Sequence, residues 1–171
     1  MSRAVGDAPR RRTVIFDFGA VLFRWHPVQL MQQALPELAP DDDAARQLMA
    51  QVFESFTPDS DWARFDLGQL AEAELADRIA ARVGVQPQQV RRIIDAIPPH
   101  LVAQAGTVRL LRRLKAAGHR LFYLSNMPAP YADHLERCND FIGDFDDGIF
   151  SGRVGLMKPG AAIFELAERR F

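Results

Sequence analysis

The sequence predicts an α/β fold, a parallel sheet interrupted after its first strand by a helical insertion. Two observations carry this. Short apolar runs at Thr13-Val14-Ile15-Phe16 and Arg120-Leu121-Phe122-Tyr123-Leu124 alternate with helical patterns, and a run such as the first fits a strand buried on both faces of a parallel sheet. Between them, residues 25–98 supply helical periodicity without an evident strand, so they read as an insertion into an α/β core formed by residues 1–24 and 99–171.

The elements follow in order. Asp17 ends the first run, and Gly19 is expected to let the backbone leave the strand sharply. Val28 to Leu35 reads as a helix before Pro36. Asp41 to Phe56 reads as a second, with Asp41 to Asp43 placed favourably at its positive end. Thr57-Pro58-Asp59-Ser60 is a turn. Gln69 to Val83 sets Leu75, Ile79 and Val83 on one face, and Gly84 stops it. Pro87 to Ile97 closes the insertion at Pro98-Pro99. Beyond residue 100, Thr107 is expected to cap a helix carrying Val108, Leu111 and Leu114, ended by Gly118. Tyr131 to Cys138 is a short helix, with Cys138 as a small apolar filler. Gly148 to Ser151 reads as a third strand. Lys158-Pro159 precedes a helix with Ile163, Phe164, Ala167 and Phe171 on one face.

Composition narrows the function classes. The chain has 171 residues, 48% apolar and 25% charged, which is ample for a hydrophobic core and unlike an intrinsically disordered chain. The formal net charge of −1 disfavours a dedicated nucleic-acid binder. The single cysteine, Cys138, excludes an intrachain disulfide and a multi-cysteine zinc site. Residues 1–12 contain no apolar stretch of signal-peptide length, and no run approaches a membrane span, so the chain reads as cytoplasmic with no membrane partner. Arg10-Arg11-Arg12 reads as a solvated tail.

Ligands of open parallel sheets bind beyond the carboxyl ends of the strands. Asp17 lies beyond the first strand, Ser125-Asn126 at the end of the second, and Lys158 in the loop after the third. A carboxylate, a hydroxyl and a cation converging on one crevice suit phosphoryl transfer. The carboxylate attacks phosphorus, the hydroxyl and backbone N–H groups hold phosphoryl oxygens, and the lysine offsets negative charge. A divalent cation is expected too, because a carboxylate approaching a phosphate dianion is otherwise repelled.

Three segments in this order, Val14-Ile15-Phe16-Asp17-Phe18-Gly19-Ala20-Val21-Leu22, Leu121-Phe122-Tyr123-Leu124-Ser125-Asn126 and Gly155-Leu156-Met157-Lys158-Pro159, resemble the motifs of the haloacid dehalogenase-like (HAD) superfamily. The Asp-Phe-Gly-Ala-Val form of the first and the Gly118-His119-Arg120…Leu124-Ser125-Asn126 stretch most resemble a bacterial branch that includes α-D-glucose-1-phosphate phosphatase. The resemblance implies a Rossmann-like core with an α-helical cap. It also implies a Mg²⁺-dependent phosphatase of small phosphorylated metabolites, sugar phosphates among them, working through an aspartyl-phosphate. Asp17 would be nucleophile and metal ligand, the Gly19 backbone carbonyl a second ligand, Ser125 and Asn126 phosphate binders, and Lys158 the partner of Asp17 and the phosphoryl group.

Two departures from the family pattern stand out. Many members carry an acid/base aspartate where this chain has Gly19. A fourth, acidic motif completing the metal site is expected after a further strand, and the chain reaches Phe171 first. The expectation is therefore a fragment or truncated product whose C-terminal core and remaining acidic ligand are missing. The open edge of the Thr13–Phe16 strand would then invite self-association. An inactive fragment or pairing partner is the alternative reading, and a metal-independent 2-haloacid dehalogenase a lesser one. Asp140, Asp144, Asp146 and Asp147 precede Lys158 and read as a solvated loop. His26 is considered as a replacement acid, but packing or hinge geometry is preferred for it. Trp25 and Phe23 are read as hinge packing in preference to a substrate platform. Arg24 reads equally as a phosphate contact or as solvated. Trp62, Arg64 and Phe65 read equally as specificity contacts or as cap core and rim. His100, His119 and His134 have no metal-ligand spacing.

Overall fold

Three parallel strands form the sheet in the computed structural model, in the order β1 (Thr13–Phe16), β2 (Arg120–Ser125), β3 (Asp147–Phe150). The structure describes residues 11–171; Arg10 and the segment before it lie outside them. Register is direct: Phe16 stands beside Tyr123, and Ser125 beside Phe150. β2 therefore runs two residues beyond the carboxyl end of β1, to Ser125.

Five helices follow β1: α1 (Pro27–Ala34), α2 (Asp42–Phe53), α3 (Asp61–Asp66), α4 (Glu72–Val83) and α5 (Pro87–His100). The Asp41 and Ser60 side chains cap α2 and α3, accepting from the N–H groups of Ala44 and Ala63. Gly84 closes α4 with φ +78°. Contrary to expectation, α5 does not stop at Pro98-Pro99 but runs through both to His100. After it come α6 (Ala105–Ala116), α7 (Ala129–Cys138), α8 (Ser151–Val154) and α9 (Ala161–Arg170). Thr107 is inside α6 rather than capping it, because Gln104 is the N-cap residue. The helix α3 has no counterpart among the expected elements; at six residues it is too short to show an apolar period.

One hydrophobic core runs from the Leu121/Tyr123 face of the sheet into the helices, through Phe18, Phe23, Leu30, Phe53 and Ile79. The opposite face is smaller: Leu124 and Ile149 pack on Ile163 and Ala167 of α9, and Phe122 stacks on Phe171 with centroids 4.4 Å apart. Ile15, beside Phe122, stays half exposed because among the described residues β1 pairs on one side only and α9 covers the other two strands. The Thr13–Phe16 run is therefore not buried on both faces, and Phe164 is exposed rather than sharing the packed face of α9. Cys138 is exposed as well, its Sγ 3.7 Å from His134 Nε2, so it fills no core. Among the described residues no helix is long and apolar enough to cross a membrane.

Candidate active site

The chain turns sharply after Asp17, and the turn is closed at the Phe18 carbonyl, which accepts from the N–H groups of Val21, Leu22 and Phe23. The left-handed residue of this turn is Ala20, at φ 60°, not Gly19. Glycine's backbone freedom is thus not what the turn uses. The cost of roughly 1–2 kcal/mol falls on an alanine in a turn closed by three hydrogen bonds that span it. None of these closing bonds goes to the Gly19 carbonyl, which leaves that oxygen available at the cleft.

Lys158 comes to the same point from the other end of the chain. Its Nζ donates to Asp17 Oδ2 at 2.6 Å, while Asp17 Oδ1 accepts from the Phe18 N–H at 2.7 Å. The lysine is placed by Asn126. That side chain donates to the Lys158 carbonyl at 2.9 Å and accepts from the Lys158 N–H at 2.8 Å, a two-bond clamp on its backbone. Ser125, the last residue of β2, is buried and borders the same space. The four side chains singled out from sequence, Asp17, Ser125, Asn126 and Lys158, therefore meet with Gly19 around one cleft of about 640 Å³.

The far wall of the cleft belongs to the helices after β1. Trp25, Phe56, Trp62, Leu67, Ile97 and Leu101 line it, and Met127, Pro128 and Met157 extend the apolar surface toward the polar end. Phe56 is carried there by a left-handed turn over Glu54–Phe56 and stacks on Phe53 at 4.9 Å. Trp25 serves both readings at once, since it borders the cleft and packs edge-on to Phe53. Trp62 also reaches the cleft, whereas Arg64 and Phe65 do not border it. Phe23 is wholly buried.

Sequence reasoning missed Asp66. It sits at the last turn of α3, borders the cleft, and has no hydrogen-bond or ion-pair partner for its carboxyl among the described residues. Burial pushes that carboxyl up to about 7, because the charged form loses hydration and gains no compensating partner. Its only signal was local, an acid between Phe65 and Leu67 in an apolar stretch. Tyr131 was missed too. It borders the cleft, its hydroxyl donates to the Ile94 carbonyl at 3.0 Å, and burial raises its phenol well above the usual range.

Other candidates lie elsewhere. His26 does not border the cleft; its N–H donates to His100 Nε2 at 3.3 Å. Burial lowers the His100 imidazole, with help from the nearby His26. Arg24 is exposed and outside the cleft lining. The acidic segment is not a free solvated loop, because its members hold cations. Asp144 pairs with Arg112, Asp146 with Lys115, and Asp147 with Arg170. Asp146 also accepts from the Leu121 N–H at 2.7 Å, fastening that segment to β2.

No three His, Cys, Asp or Glu residues among those described cluster closely enough to hold a metal ion. The donors at hand are the Asp17 carboxylate and the Gly19 carbonyl, both hard oxygens beside open space. They fit Mg²⁺, which keeps several waters and takes phosphate oxygens rather than requiring an all-protein cage.

No family model matches the chain. Its backbone resembles that of the HAD family enzyme BT-2542 of Bacteroides thetaiotaomicron, solved with magnesium and inorganic phosphate. The TM-score is 0.67 at 19% identity, over 94% of this chain and 78% of that one. The fold is HAD-like. The L-2-haloacid dehalogenase of Xanthobacter autotrophicus has the same HAD-like architecture (TM-score 0.63, 19% identity, 94% of this chain and 65% of that one). In sequence, the chain is 26% identical over 155 residues to the sesquiterpene phosphatase AstK of Aspergillus oryzae, spanning 90% of this chain and 71% of the relative. In this HAD-like fold the polar end of the cleft lies at the carboxyl ends of β1 and β2, where open α/β sheets place their ligands.

Proposed function

We propose that this chain is a Mg²⁺-dependent phosphatase that hydrolyses small phosphate monoesters through an aspartyl-phosphate on Asp17. The observation that carries the reading is the Asp17–Lys158 pair at 2.6 Å, beside Ser125 at the end of β2 and open to a large cleft. The 26% identity to a phosphatase and the HAD-like fold support it.

In this reading Asp17 attacks phosphorus. Lys158 neutralises the carboxylate while it waits and the phosphoryl oxygens as charge builds on them. The Ser125 hydroxyl and nearby backbone N–H groups hold the phosphoryl group, and the Asn126 clamp keeps Lys158 in place. Asp17 and the Gly19 carbonyl would hold Mg²⁺, which supplies further charge neutralisation on the phosphate. The helices of residues 25–98 act as a cap that excludes bulk water and selects the leaving group.

The cap's wall bears on the choice of substrate. Most of that wall, Trp25, Phe56, Trp62, Leu67, Ile97 and Leu101, offers sugar hydroxyls no polar partner, an unfavourable burial; Thr57, Ser60 and Asp66 are its polar residues. The wall favours the phosphate ester of an apolar alcohol, terpenoid or aromatic, over a sugar phosphate. Phosphate release with Mg²⁺ from farnesyl phosphate, an aryl phosphate and glucose 1-phosphate tests this. The first two are expected to be preferred by unaltered protein and unreactive with Asp17→Asn. Equal turnover by Asp17→Asn would overturn the mechanism, and preference for the sugar would overturn the substrate class.

A second reading concerns association. The side of β1 left unpaired among the described residues, with Ile15 half exposed, favours pairing with another copy of the chain. Sedimentation across a concentration range would show a dimer that Ile15→Lys weakens.

A further inference from the structure

Asp66 is the one acid besides Asp17 that borders the cleft among the described residues. Asp17 is held by Lys158 and the Phe18 N–H, and Tyr131 is committed to the Ile94 carbonyl. The Asp66 carboxyl alone among these groups has no bond to another residue. Its position is fixed instead through its backbone. Ser151 Oγ, fully buried, donates to the Asp66 carbonyl at 2.6 Å and accepts from the Met127 N–H at 2.8 Å. Met127 directly follows Ser125-Asn126, so one hydroxyl ties the last turn of α3 to the segment that borders the phosphoryl end of the cleft. The approach is close at Gly68 too, where a Cβ would lie 2.8 Å from the Gly152 carbonyl oxygen.

Resting on the phosphatase reading above, we propose that Asp66 is the general acid that protonates the leaving alcohol and, as carboxylate, the base that activates water. An Asp17 carboxylate oxygen bonds to phosphorus. The phosphorus–oxygen bond to the alcohol breaks, its electron pair stays on that oxygen, and the oxygen takes the Asp66 proton. Alcohol, aspartyl-phosphate and the Asp66 carboxylate result. In the second half, Asp66 takes a proton from water as the water oxygen bonds to phosphorus. The bond between phosphorus and the Asp17 oxygen then breaks, and inorganic phosphate leaves with Asp17 restored as carboxylate. Burial without a charge partner keeps the Asp66 proton available near neutral pH. Asp17, Lys158 and Tyr131 are the other titratable groups on the cleft wall.

The test compares kcat/KM for p-nitrophenyl phosphate, whose leaving group needs no proton, with that for a long-chain alkyl phosphate, whose leaving group does. Asp66→Asn is expected to cost the alkyl ester about 10²–10⁴-fold and the nitrophenyl ester less than tenfold. Equal losses on both esters would make Asp66 merely structural, and no loss on either would remove it from the reaction; each overturns the assignment. Asp66→Glu retains a carboxyl on a longer arm and reads the same ratio should Asp66→Asn fail to fold, with a selective alkyl loss expected. Turnover of neither ester by the unaltered chain would overturn the phosphatase reading itself, and the assignment with it.

Discussion

Asn126 and Lys158 are joined by two hydrogen bonds, one in each direction, between a side-chain amide and a peptide backbone 32 residues away. The clamp explains how a lysine on the loop before α9 reaches a carboxylate at the end of β1. Without it, the loop from Gly155 to Gly160 would have to hold the Lys158–Asp17 geometry unaided.

Asn126→Ala leaves both Lys158 backbone groups without these partners. Each group partly shielded from water costs about 1–3 kcal/mol when unsatisfied. A stability loss in that range by urea denaturation is expected, with a fall in kcat larger than any change in KM. An unchanged kcat would show that Lys158 does not depend on the clamp.

Lys158→Met removes the cation facing Asp17 while keeping the length of the side chain. By analogy with the loss of one stabilising donor, kcat is expected to fall about 10²–10³-fold. Phosphate ester assays with Mg²⁺ check this, with circular dichroism to verify folding. Asp17 and Lys158 are partly open to the cleft, so their pairing contributes little to folding.

Ser151→Ala deletes the hydroxyl shared by the Asp66 carbonyl and the Met127 N–H. An expected loss of about 1–3 kcal/mol in unfolding free energy follows from leaving these groups unpaired. Hydrogen exchange should quicken first in α3, since the lost bond is its tie to the segment after β2.

The Asp66 carboxyl makes stability depend on pH with a definite sign. Its folded value of about 7 lies above its unfolded value, so the native state binds more protons over the interval between them. Stability from this group is fully present below roughly pH 4, falls as pH rises toward 7, and levels off above it. Asp66→Asn should flatten that portion of the curve and raise stability at pH 8, as read by thermal unfolding in a buffer series. A variant that tracks the unaltered protein from pH 4 to pH 8 would mean that the carboxyl is hydrated in the native state.

Gly148 lies beneath the Tyr123 ring, where an added Cβ would come within 2.1 Å of ring carbon. Gly148→Ala must displace that ring from its packing on Phe18 and Phe150. Overpacking of this kind typically costs about 1–3 kcal/mol. A lower urea midpoint with an unchanged slope is the expected result.

By itself the sequence determined the parallel α/β core, the helical insertion and the residues at the polar end of the cleft. Asp17 and Ser125 follow apolar runs directly, and Lys158 precedes a helix, so their places at strand and loop ends are local properties of the chain. What only the tertiary structure decided is everything that depends on contact between the inserted helices and the sheet. The left-handed residue proved to be Ala20, because hydrogen bonding to the Phe18 carbonyl shapes that turn. The apolar wall from Trp25 to Leu101, the Ser151 bridge and the unpartnered carboxyl of Asp66 at the cleft join residues far apart in sequence. No periodicity announces an acid in a six-residue helix. Its proton affinity was set by desolvation, which arises only when the helix meets the core.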